Sequence, residues 1–559
     1  DKMARSILKY GLIAIGAVLL FLWLGVVCIE DKNLPANELA TQWKWFYGWG
    51  FIVSCYGMLM YIFYPTAWQR CLVKTVIWSL ITLGIYEGMD GLLQIYGYSM
   101  SNHSLYALTG TFYNPGPYSG YLAMVCPIAL YEYLQLGENK NRNILTNVAR
   151  YIALFAFLLC LCVLPSGMSR SAWGAAAGGI LVVTFAHFNG KRRLLHYFRT
   201  NRKRAFIITS IVLCSVIVAG SGAFYLKKDS ANGRLFMWKI TCRAIAEKPW
   251  LGYWESFPKI YGEAQEKYFA AGDYTEEEAR IAGSPEYAFN EYLQITAEWG
   301  LLCLALFLSI LILCLYGGIK GKKYGICGAL CAFSIFAMSS YPLQFPAFWC
   351  ALLLMLMACF PNHETHRPSF TCIIGAYLCF NGALLFYQFH EQWSERSVAV
   401  EKWNNARLLY NTKAYEAAQT AYEELYKEMH WNFRYLFEYG HTLSKQKQYS
   451  EAIFILQKAE NESNDPMILN IMGKDFQDMK LYDKAEEFFK RSINRLPSRI
   501  YPYYLLAKLY LEPDYYHPEK FKRTAETVLN KQPKVPSPAV EEMKKEIKKL
   551  LESEKDTGT

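Results

Sequence analysis

Polar residues that could do chemistry are concentrated in four short motifs, each at the beginning or the end of an apolar run. The motifs are TGTFYNPGPYSGY (109–121), SRSAW (169–173), GRLFMW (233–238) and AFNEYLQ (288–294). Their candidate site side chains are Tyr113, Asn114, Ser169, Arg170, Arg234, Trp238, Asn290, Glu291 and Gln294. Arginine binds anionic groups through forked hydrogen bonds, and a carboxylate can accept a proton. The motifs therefore indicate a polar site that includes both arginines.

Each motif also has a structural interpretation. The turn signal Asn-Pro-Gly-Pro at 114–117 can begin a helix without binding anything. Arg170 could extend to lipid headgroups, but the small residues GAAAGG after it suit close helix packing and favour an arginine that faces a polar cavity. Arg234 lies in the first turn of a predicted amphipathic helix at the membrane surface, with the apolar stripe Met237, Ile240, Ala244 and Ile245.

Two further acids, Glu87 and Asp90, lie inside an apolar run. They are three residues apart and therefore share one face of a helix. Acidic side chains at membrane depth are costly, and they commonly line a cavity or pair with a cation. We expect both to contribute to substrate binding, with Arg170 as their ion-pair partner.

The elements that must position these motifs are apolar runs long enough to cross a membrane, which takes about 20 residues per helix. Eleven runs qualify: 7–29, 46–65, 73–97, 117–135, 149–165, 170–188, 205–226, 292–316, 324–340, 344–361 and 369–388. The first is interpreted as a retained helix, because its apolar stretch is long for a signal peptide and no small-residue cleavage site follows. The predicted fold class is all-α, with a polytopic bundle over 1–390 that carries a large loop at 227–291.

The basic residues give this bundle an orientation. Connectors on one side hold Lys2, Arg5, Lys9, Arg70, Lys74, Lys140, Arg142, the cluster 191–204, Lys320, Lys322 and Lys323, whereas those near 98–116, 166–169 and 341–343 hold no lysine or arginine. Positive connectors are cytoplasmic in membrane proteins. The pattern predicts a bacterial inner-membrane protein with a cytoplasmic N-terminus, and it accounts for the net charge of +10 without a nucleic-acid partner. All 16 cysteines precede residue 380 without zinc-ligand spacing, so we expect no metal site.

The C-terminal segment, 391–559, contains a repeat. Tyr415, Tyr449 and Tyr482 recur at spacings of 34 and 33, each followed three residues later by alanine, at Ala418, Ala452 and Ala485. Small residues also recur in the preceding helices, at Ala406, Gly440, Gly473 and Ala507. This pattern resembles the tetratricopeptide repeat (TPR) and predicts a soluble α-solenoid on the periplasmic side. Such concave surfaces usually bind a polypeptide partner, and the alternative is a structural cap on the membrane domain.

The membrane segment resembles the O-antigen ligase and polymerase superfamily, in particular members from the Bacteroides-like lineage. The stretches that carry the resemblance are GTFYNPGPYSGYLA, SRSAW, GRLFMW with KPWLGYW, and FNEYLQITAEWGLLCL. The resemblance implies a GT-C-type, metal-independent and inverting glycosyltransferase that needs no cofactor. Its donor would be a glycan on undecaprenyl pyrophosphate, and its acceptor a hydroxyl group.

The resemblance also implies roles for single residues. The two periplasmic arginines that handle the pyrophosphate in such ligases match Arg170 and Arg234. The family histidine before Asn290 is replaced by Phe289, so Glu291 becomes the candidate base, with Glu298 and Glu87 behind it. The expected substrate-binding residues are Tyr113, Asn114, Ser169, Trp238, Asn290, Gln294, Glu87 and Asp90.

Alternatives remain open at this stage. The acceptor could be lipid A core, a second lipid-linked repeat unit, as in a polymerase, or a protein serine or threonine. Other classes are a transporter and a scaffold that presents the repeats. Since both arginines and Glu291 precede the repeats, we expect the repeats to select the acceptor rather than take part in bond chemistry.

The predicted orientation can be tested by labelling. Cysteines introduced at Ser230 and Ser498 should react with a membrane-impermeant thiol reagent in intact spheroplasts, because both positions are predicted to be periplasmic. Reaction only after lysis would contradict this orientation.

Overall fold

The structure, a computed structural model, describes residues 2–30, 38–139, 143–211, 214, 228–360 and 368–557. These residues form helices and turns, with no strand among them, which confirms the predicted all-α class. The chain divides into two compact units. The first comprises Asp1–Ala223, Phe289–Tyr292 and Ala305–Val398, and the second comprises Phe224–Ala288, Leu293–Leu304 and Ala399–Thr559.

In the described part of the chain, residues 202–211 are helical, and the α-helices α1 to α14 precede the repeats as well. They are α1 Lys2–Leu24, α2 Ala40–Phe63, α3 Pro65–Ile95, α4 Pro115–Glu138, α5 Ile144–Val163, α6 Arg170–His187, α7 Gly190–Thr200, α8 Lys228–Glu247, α9 Phe257–Ala270, α10 Glu276–Ile281, α11 Glu291–Lys320, α12 Tyr324–Ala337, α13 Pro346–Ala358 and α14 Pro368–Asn411. Helices α11 and α14 each contribute residues to both units.

Helix α4 is the centre of the first unit. Every residue from Pro117 to Ala129 is buried, and α3, α5, α6 and α12 pack around it. The helix begins where the sequence predicts, because the Asn114 side chain caps it and Pro115 occupies its first turn. The polar motif at 109–121 thus leads directly into the core of the bundle.

Small residues allow α6 and α12 to approach α4 closely. A Cβ atom on Gly179 would lie 2.8 Å from the carbonyl oxygen of Gly328, and one on Gly328 would lie 2.8 Å from Cβ of Pro127. Neither position has room for a side chain, and Ala172, Ala175 and Ala176 of α6 are also buried. This confirms that GAAAGG serves close helix packing.

The span count differs from the eleven predicted runs. Among the described residues, six helices are long and apolar enough to cross a membrane, or seven if α6 and α7, bent by 78°, count as one span. The six are Met3–Cys28, Ala40–Phe63, Pro65–Ile95, Ile144–Gly167, Glu291–Lys320 and Cys372–Asn411. Helices α12 and α13 have only 14 and 13 residues, and most of the predicted run 205–226 lies outside the described residues. Eleven spans therefore stays a prediction.

The repeat helices follow the predicted period. They are α15 Tyr415–Met429, α16 Phe433–Lys445, α17 Tyr449–Glu460, α18 Pro466–Asp478, α19 Tyr482–Arg495, α20 Tyr501–Leu509, α21 Pro518–Asn530 and α22 Pro538–Thr557. The three repeated tyrosines each begin a helix, and the alanines that follow them are fully buried. A Cβ atom on Gly440 would lie 2.6 Å from Leu456, so the small residue is what lets the paired helices meet.

The turn before each repeated tyrosine has one recurring geometry. Lys413, Lys447 and Lys480 have φ of 62°, 62° and 61°, in the left-handed region. In the first of these turns, the Lys413 N–H donates to Tyr410 O at 3.0 Å and the Ala414 N–H to Leu409 O at 2.9 Å. This is the pattern of a Schellman motif, which satisfies the last carbonyl groups of the helix.

The carboxyl group of Asp475, inside the repeats, is buried without a full set of hydrogen bonds. Asp475 is 1 % exposed, and Oγ of Ser444 donates a hydrogen bond of 2.5 Å to its Oδ1. Its Oδ2 has no hydrogen-bond partner within the described part of the chain. Burial raises the pKa of this carboxyl to about 7, above its ordinary 3.8.

We predict that Asp475→Asn stabilises the protein at pH 8 by on the order of 1–3 kcal/mol but has much less effect at pH 4. An acid whose pKa is raised by folding stabilises the fold below its unfolded pKa, and this contribution is lost as the pH rises through about 7. The measurement is the melting temperature of the purified protein at both pH values. Asp514→Asn, which removes an exposed pair with Lys480, is the control and should change little. An equal shift at both pH values would contradict the prediction.

Candidate functional site

Arg170 is the first residue of α6, and the local structure fixes this position. The Ser169 side chain caps the helix by accepting the Ala172 N–H at 3.4 Å, and Met168 before it has a φ of 49°. Arg170 itself is half-buried. A helix N-terminus favours negative charge, so a cationic side chain there adds to the attraction for an anion.

The segment between α12 and α13 links the start of α6 to the start of α11. Oγ of Ser339 donates to Oγ of Ser171 at 2.7 Å, next to Arg170. Four residues further on, the Leu343 N–H donates to Oε1 of Glu291 at 2.7 Å. Segment 339–343 thus holds Glu291, which is 2 % exposed, within the same unit as Arg170.

Phe289 lies at the position where the resemblance to O-antigen ligases predicts a histidine. Its φ is 49°, in the left-handed region, and its ring packs edge-on against Tyr341 with the centroids 5.0 Å apart. Asn290, half-buried, lies between Phe289 and Glu291. A phenyl ring cannot exchange a proton, so the arrangement leaves Glu291 as the nearest carboxylate along the chain.

Glu87 organises the loop before α4. Its Oε1 accepts the Thr111 hydroxyl at 2.5 Å, and its Oε2 accepts the Thr111 N–H at 3.1 Å. The Tyr118 hydroxyl donates to the Glu87 carbonyl at 2.7 Å. Gly110, with φ of 54°, is required because a Cβ atom there would lie 2.4 Å from Oε2 of Glu87. Glu87 therefore supports the site motif from behind, and a direct contact with substrate stays a prediction.

Asp90 lies one turn beyond Glu87 and belongs to the same loop-holding group. Ser99 donates to its Oδ1 at 3.4 Å, and Gln94, which accepts the Thr109 N–H at 2.8 Å, donates to its Oδ2 at 3.4 Å. Asn114 accepts the Gly116 N–H at 2.9 Å as the helix cap, and Tyr113 beside it is half-buried. The motif at 109–121 therefore begins a helix, as its structural interpretation predicts, and its role in substrate binding stays a prediction.

Arg234 lies on α8 in the second unit, where it is half-buried. The sequence predicts that the apolar stripe of α8 lies at the membrane surface, but Ile240 and Ala244 of this stripe are buried inside the protein. Ala244 packs with Ile260 of α9 and Ala297 of α11. On the other side, Lys239 forms a 2.5 Å ion pair with Glu278. Burial by itself would raise the pKa of Glu278, but the hydrogen bonds from Lys239 and the Thr275 backbone outweigh it and lower the pKa to about 2.

A chain of hydrogen bonds connects α8 to α11 and α9. Nε1 of Trp238 donates to Ala288 O at 2.9 Å, and the Ala288 N–H donates to Oε1 of Gln294 at 3.1 Å. Gln294 donates to Oε1 of Glu298 at 3.2 Å, and the same oxygen accepts the Phe257 N–H at 3.0 Å. Three predicted site residues thus brace the helix that carries Arg234.

The segment 249–254 inserts into a break in α11 at Gly300, where φ is 83°. The Leu301 N–H donates to Pro249 O at 2.9 Å, and the Tyr253 N–H donates to Ala297 O at 3.1 Å. A Cβ atom on Gly300 would lie 2.2 Å from Trp250 O, and one on Gly252 would lie 2.6 Å from the Gly300 nitrogen. We call this backbone contact the glycine clasp.

The loop also packs on the repeats, within the second unit. Glu266 of α9 accepts bonds of 2.8 Å from both Arg491 and Arg495 of α19, and Arg495 is 2 % exposed. Arg434 at the start of α16 pairs with Glu286 at 2.8 Å. The loop that carries Arg234 and the repeat solenoid therefore form one folded body.

Sequence reasoning missed segment 339–343, the glycine clasp and Glu266. The stretches KPWLGYW and AEWG were visible, and a glycine inside an apolar helix is a signal of a break. Ion pairs such as Glu266 with Arg495 join residues that no local pattern connects. Because Arg170 and Arg234 belong to different units, their convergence on one ligand stays a prediction.

Comparison with known families agrees with these elements. The family described as O-Antigen ligase (Wzy_C) matches residues 155–308, from α5 to α11, and this stretch contains Arg170, Arg234 and Glu291. The family described as Anaphase-promoting complex, cyclosome, subunit 3 matches 411–492, in the TPR-like repeats. The chain is thus a membrane protein with an O-antigen ligase domain and a C-terminal TPR-like region. Glycan transfer of the O-antigen ligase type is the activity that this domain supports.

Solved structures give weaker likenesses. "Functional Characterization of Pseudomonas Aeruginosa pilF" is 21 % identical over 28 % of this chain and 71 % of that chain, with a TM-score of 0.20. "Crystal structure of APC/C hetero-tetramer Cut9-Hcn1" is 12 % identical over 91 % of this chain and 90 % of that chain, with a TM-score of 0.25. These TM-scores are too low to relate the overall folds. No curated protein matches the chain significantly.

The glycine clasp can be tested by adding a single methyl group at Gly300. Gly300→Ala should destabilise the protein by about 3 kcal/mol or more, because the new Cβ would overlap Trp250 O and because φ is positive there. Gly283→Ala is the matched control, since its Cβ would meet nothing within 4 Å. Melting temperatures of the two purified variants measure the difference. Equal melting temperatures would mean that the clasp is dispensable.

Proposed function

We propose that this protein transfers a glycan from undecaprenyl pyrophosphate to an acceptor hydroxyl on the periplasmic side of a bacterial inner membrane. The observation that carries the proposal is the O-antigen ligase match over 155–308, which contains both arginines and Glu291. The membrane-spanning helices beside this region suit a donor with a polyprenyl tail.

In this proposal the arginines act on the leaving group. The acceptor oxygen attacks the anomeric carbon, and the bond from that carbon to the phosphate oxygen breaks, so that the configuration inverts. Negative charge then develops on the departing pyrophosphate. Two guanidinium groups can stabilise it through forked hydrogen bonds, Arg170 from the N-terminus of α6 and Arg234 from α8.

Glu291 is the proposed acceptor of the proton from the attacking hydroxyl. It begins α11 and is held by the Leu343 N–H, so its orientation is fixed before any substrate arrives. Segment 339–343, which provides this bond, also contacts the turn of α6 that begins at Arg170. A proposed base and a proposed phosphate ligand are thus supported by one segment.

The acceptor can be identified from the lipid-linked pool after deletion of the gene. Long polymer accumulating on the carrier would indicate transfer to lipid A core. Single repeat units would indicate a polymerase. Normal lipopolysaccharide with unglycosylated envelope proteins would indicate transfer to protein. An unchanged pool with unchanged envelope glycans would contradict glycan transfer altogether.

The sharpest kinetic test replaces each arginine by lysine. Arg170→Lys and Arg234→Lys keep the charge but remove the planar fork, so each should cost on the order of 2–4 kcal/mol of transition-state stabilisation. The assay is glycan transfer by purified protein with a defined lipid-linked donor.

Arg243→Lys is the matched control for Arg234. It lies on the same helix and stacks over the Tyr268 ring at 4.5 Å, a contact that lysine can also make. This variant should retain near-normal turnover. Near-normal turnover in Arg170→Lys or Arg234→Lys would remove that residue from the proposed pyrophosphate site, and loss of activity in Arg234→Ala at normal membrane levels would exclude a pure scaffold.

A further inference from the structure

Large apolar side chains are exposed around the glycine clasp. Trp250, Leu251 and Trp254 are 65 %, 61 % and 67 % exposed, and Trp299 and Leu302 on α11 are 42 % and 57 % exposed. We call these five residues the tryptophan patch. Exposed apolar patches of this kind mark contact with a partner, a ligand or a membrane.

The patch is held rigidly by backbone contacts. The Leu302 N–H donates to Trp250 O at 3.3 Å, and the Trp254 N–H donates to Glu298 O at 2.9 Å. The Trp254 and Trp299 rings meet edge-on at 4.9 Å. Segment 249–254 and the first turns of α11 therefore present their apolar side chains as one surface.

Trp254, within the patch, has an unfavourable backbone conformation. Its φ is 58°, in the left-handed region, where a bulky residue is rare and costs about 1–2 kcal/mol. The backbone hydrogen bond to Glu298 O and the edge-on contact with Trp299 hold the residue in this conformation while most of its ring stays exposed. Strain of this kind is typical of functional positions.

We propose that the tryptophan patch is a membrane foot, which inserts into the headgroup region of the bilayer beside α11. The patch is continuous with the exposed apolar surface of α11. Helix α11 is a candidate span, and only 11 % of its most apolar window is buried. Leu302 of the patch continues directly into Leu306 and Ile310, which are 63 % and 43 % exposed along the same helix.

The chemistry of the patch selects lipid over other occupants. Tryptophan is the residue enriched where a membrane protein meets the bilayer interface, since its ring is apolar and its N–H prefers a polar neighbour. Leu251 and Leu302 add apolar surface that has no use in stacking against a sugar ring. The foot would anchor the body formed by the loop and the repeats to the membrane.

The test is photocrosslinking in native membranes with the full chain. Benzoylphenylalanine at Leu251 or at Trp254 should form phospholipid adducts, detected by mass spectrometry. The same probe at Asp273, an exposed position of the loop between α9 and α10, should form none. Adducts at 251 and 254 to another polypeptide or to a glycan, or adducts to phospholipid at 273 as well, would overturn the proposal.

A second measurement does not depend on inserting the probe. Protein reconstituted into bilayers with brominated phosphatidylcholine should show quenched tryptophan fluorescence, and Trp250→Phe should lose part of the quenchable signal. Trp431→Phe, at the turn before α16 in the repeats, should leave the quenchable signal unchanged. Equal quenching in wild type and Trp250→Phe would overturn the proposal, and it would do so without bearing on glycan transfer.

Discussion

The contact between two stretches of backbone at Gly252 and Gly300 is the constraint on which the second unit depends. A helix cannot continue through a residue with φ of 83°, so α11 breaks at Gly300 and leaves peptide groups without helical partners. Segment 249–254 supplies those partners. The loop is thus joined to α11 by backbone hydrogen bonds, which do not depend on the side chains present. Helix α8, which carries Arg234, is in turn connected to α11 by hydrogen bonds.

The contacts of the loop also change the role that can be assigned to the repeat solenoid. The sequence suggests a separate domain for acceptor selection, since Arg170, Arg234 and Glu291 all precede it. The structure shows the loop packed on the repeats through a nearly buried arginine, Arg495, whose partner Glu266 lies in the loop. Breaking a buried ion pair leaves an uncompensated charge, which costs several kcal/mol. Removing the repeats would therefore also disturb the helix that carries Arg234, and the predicted division of labour is less clean than the sequence implies.

The parts of the fold that depend on local chemistry could be predicted from the sequence. The repeat helices begin at the repeated tyrosines, and α4 begins at Asn114, because caps, prolines and small residues act within a few positions. The sequence predicts the stripe of α8 at the membrane surface, whereas Ile240 and Ala244 are buried inside the protein. Periodicity shows that a helix face is buried but not what buries it. For the connector 341–343 the sequence shows only that lysine and arginine are absent, and the role of segment 339–343 follows from a contact between Ser339 and Ser171, 168 residues apart.

The resemblance to O-antigen ligases implies a histidine where this chain has Phe289, and the phenyl ring limits the chemistry that this position can do. Histidine is found in left-handed backbone more often than phenylalanine, so the φ of 49° at position 289 is compatible with the histidine that the resemblance implies. The phenyl ring cannot move a proton, and it packs on Tyr341 beside the segment that holds Glu291. Under the proposed reaction this is tolerable, because a pyrophosphate neutralised by two guanidinium groups leaves readily and the attacking hydroxyl needs its proton removed only late. The position then serves the site by fixing Glu291 rather than by acting as the base.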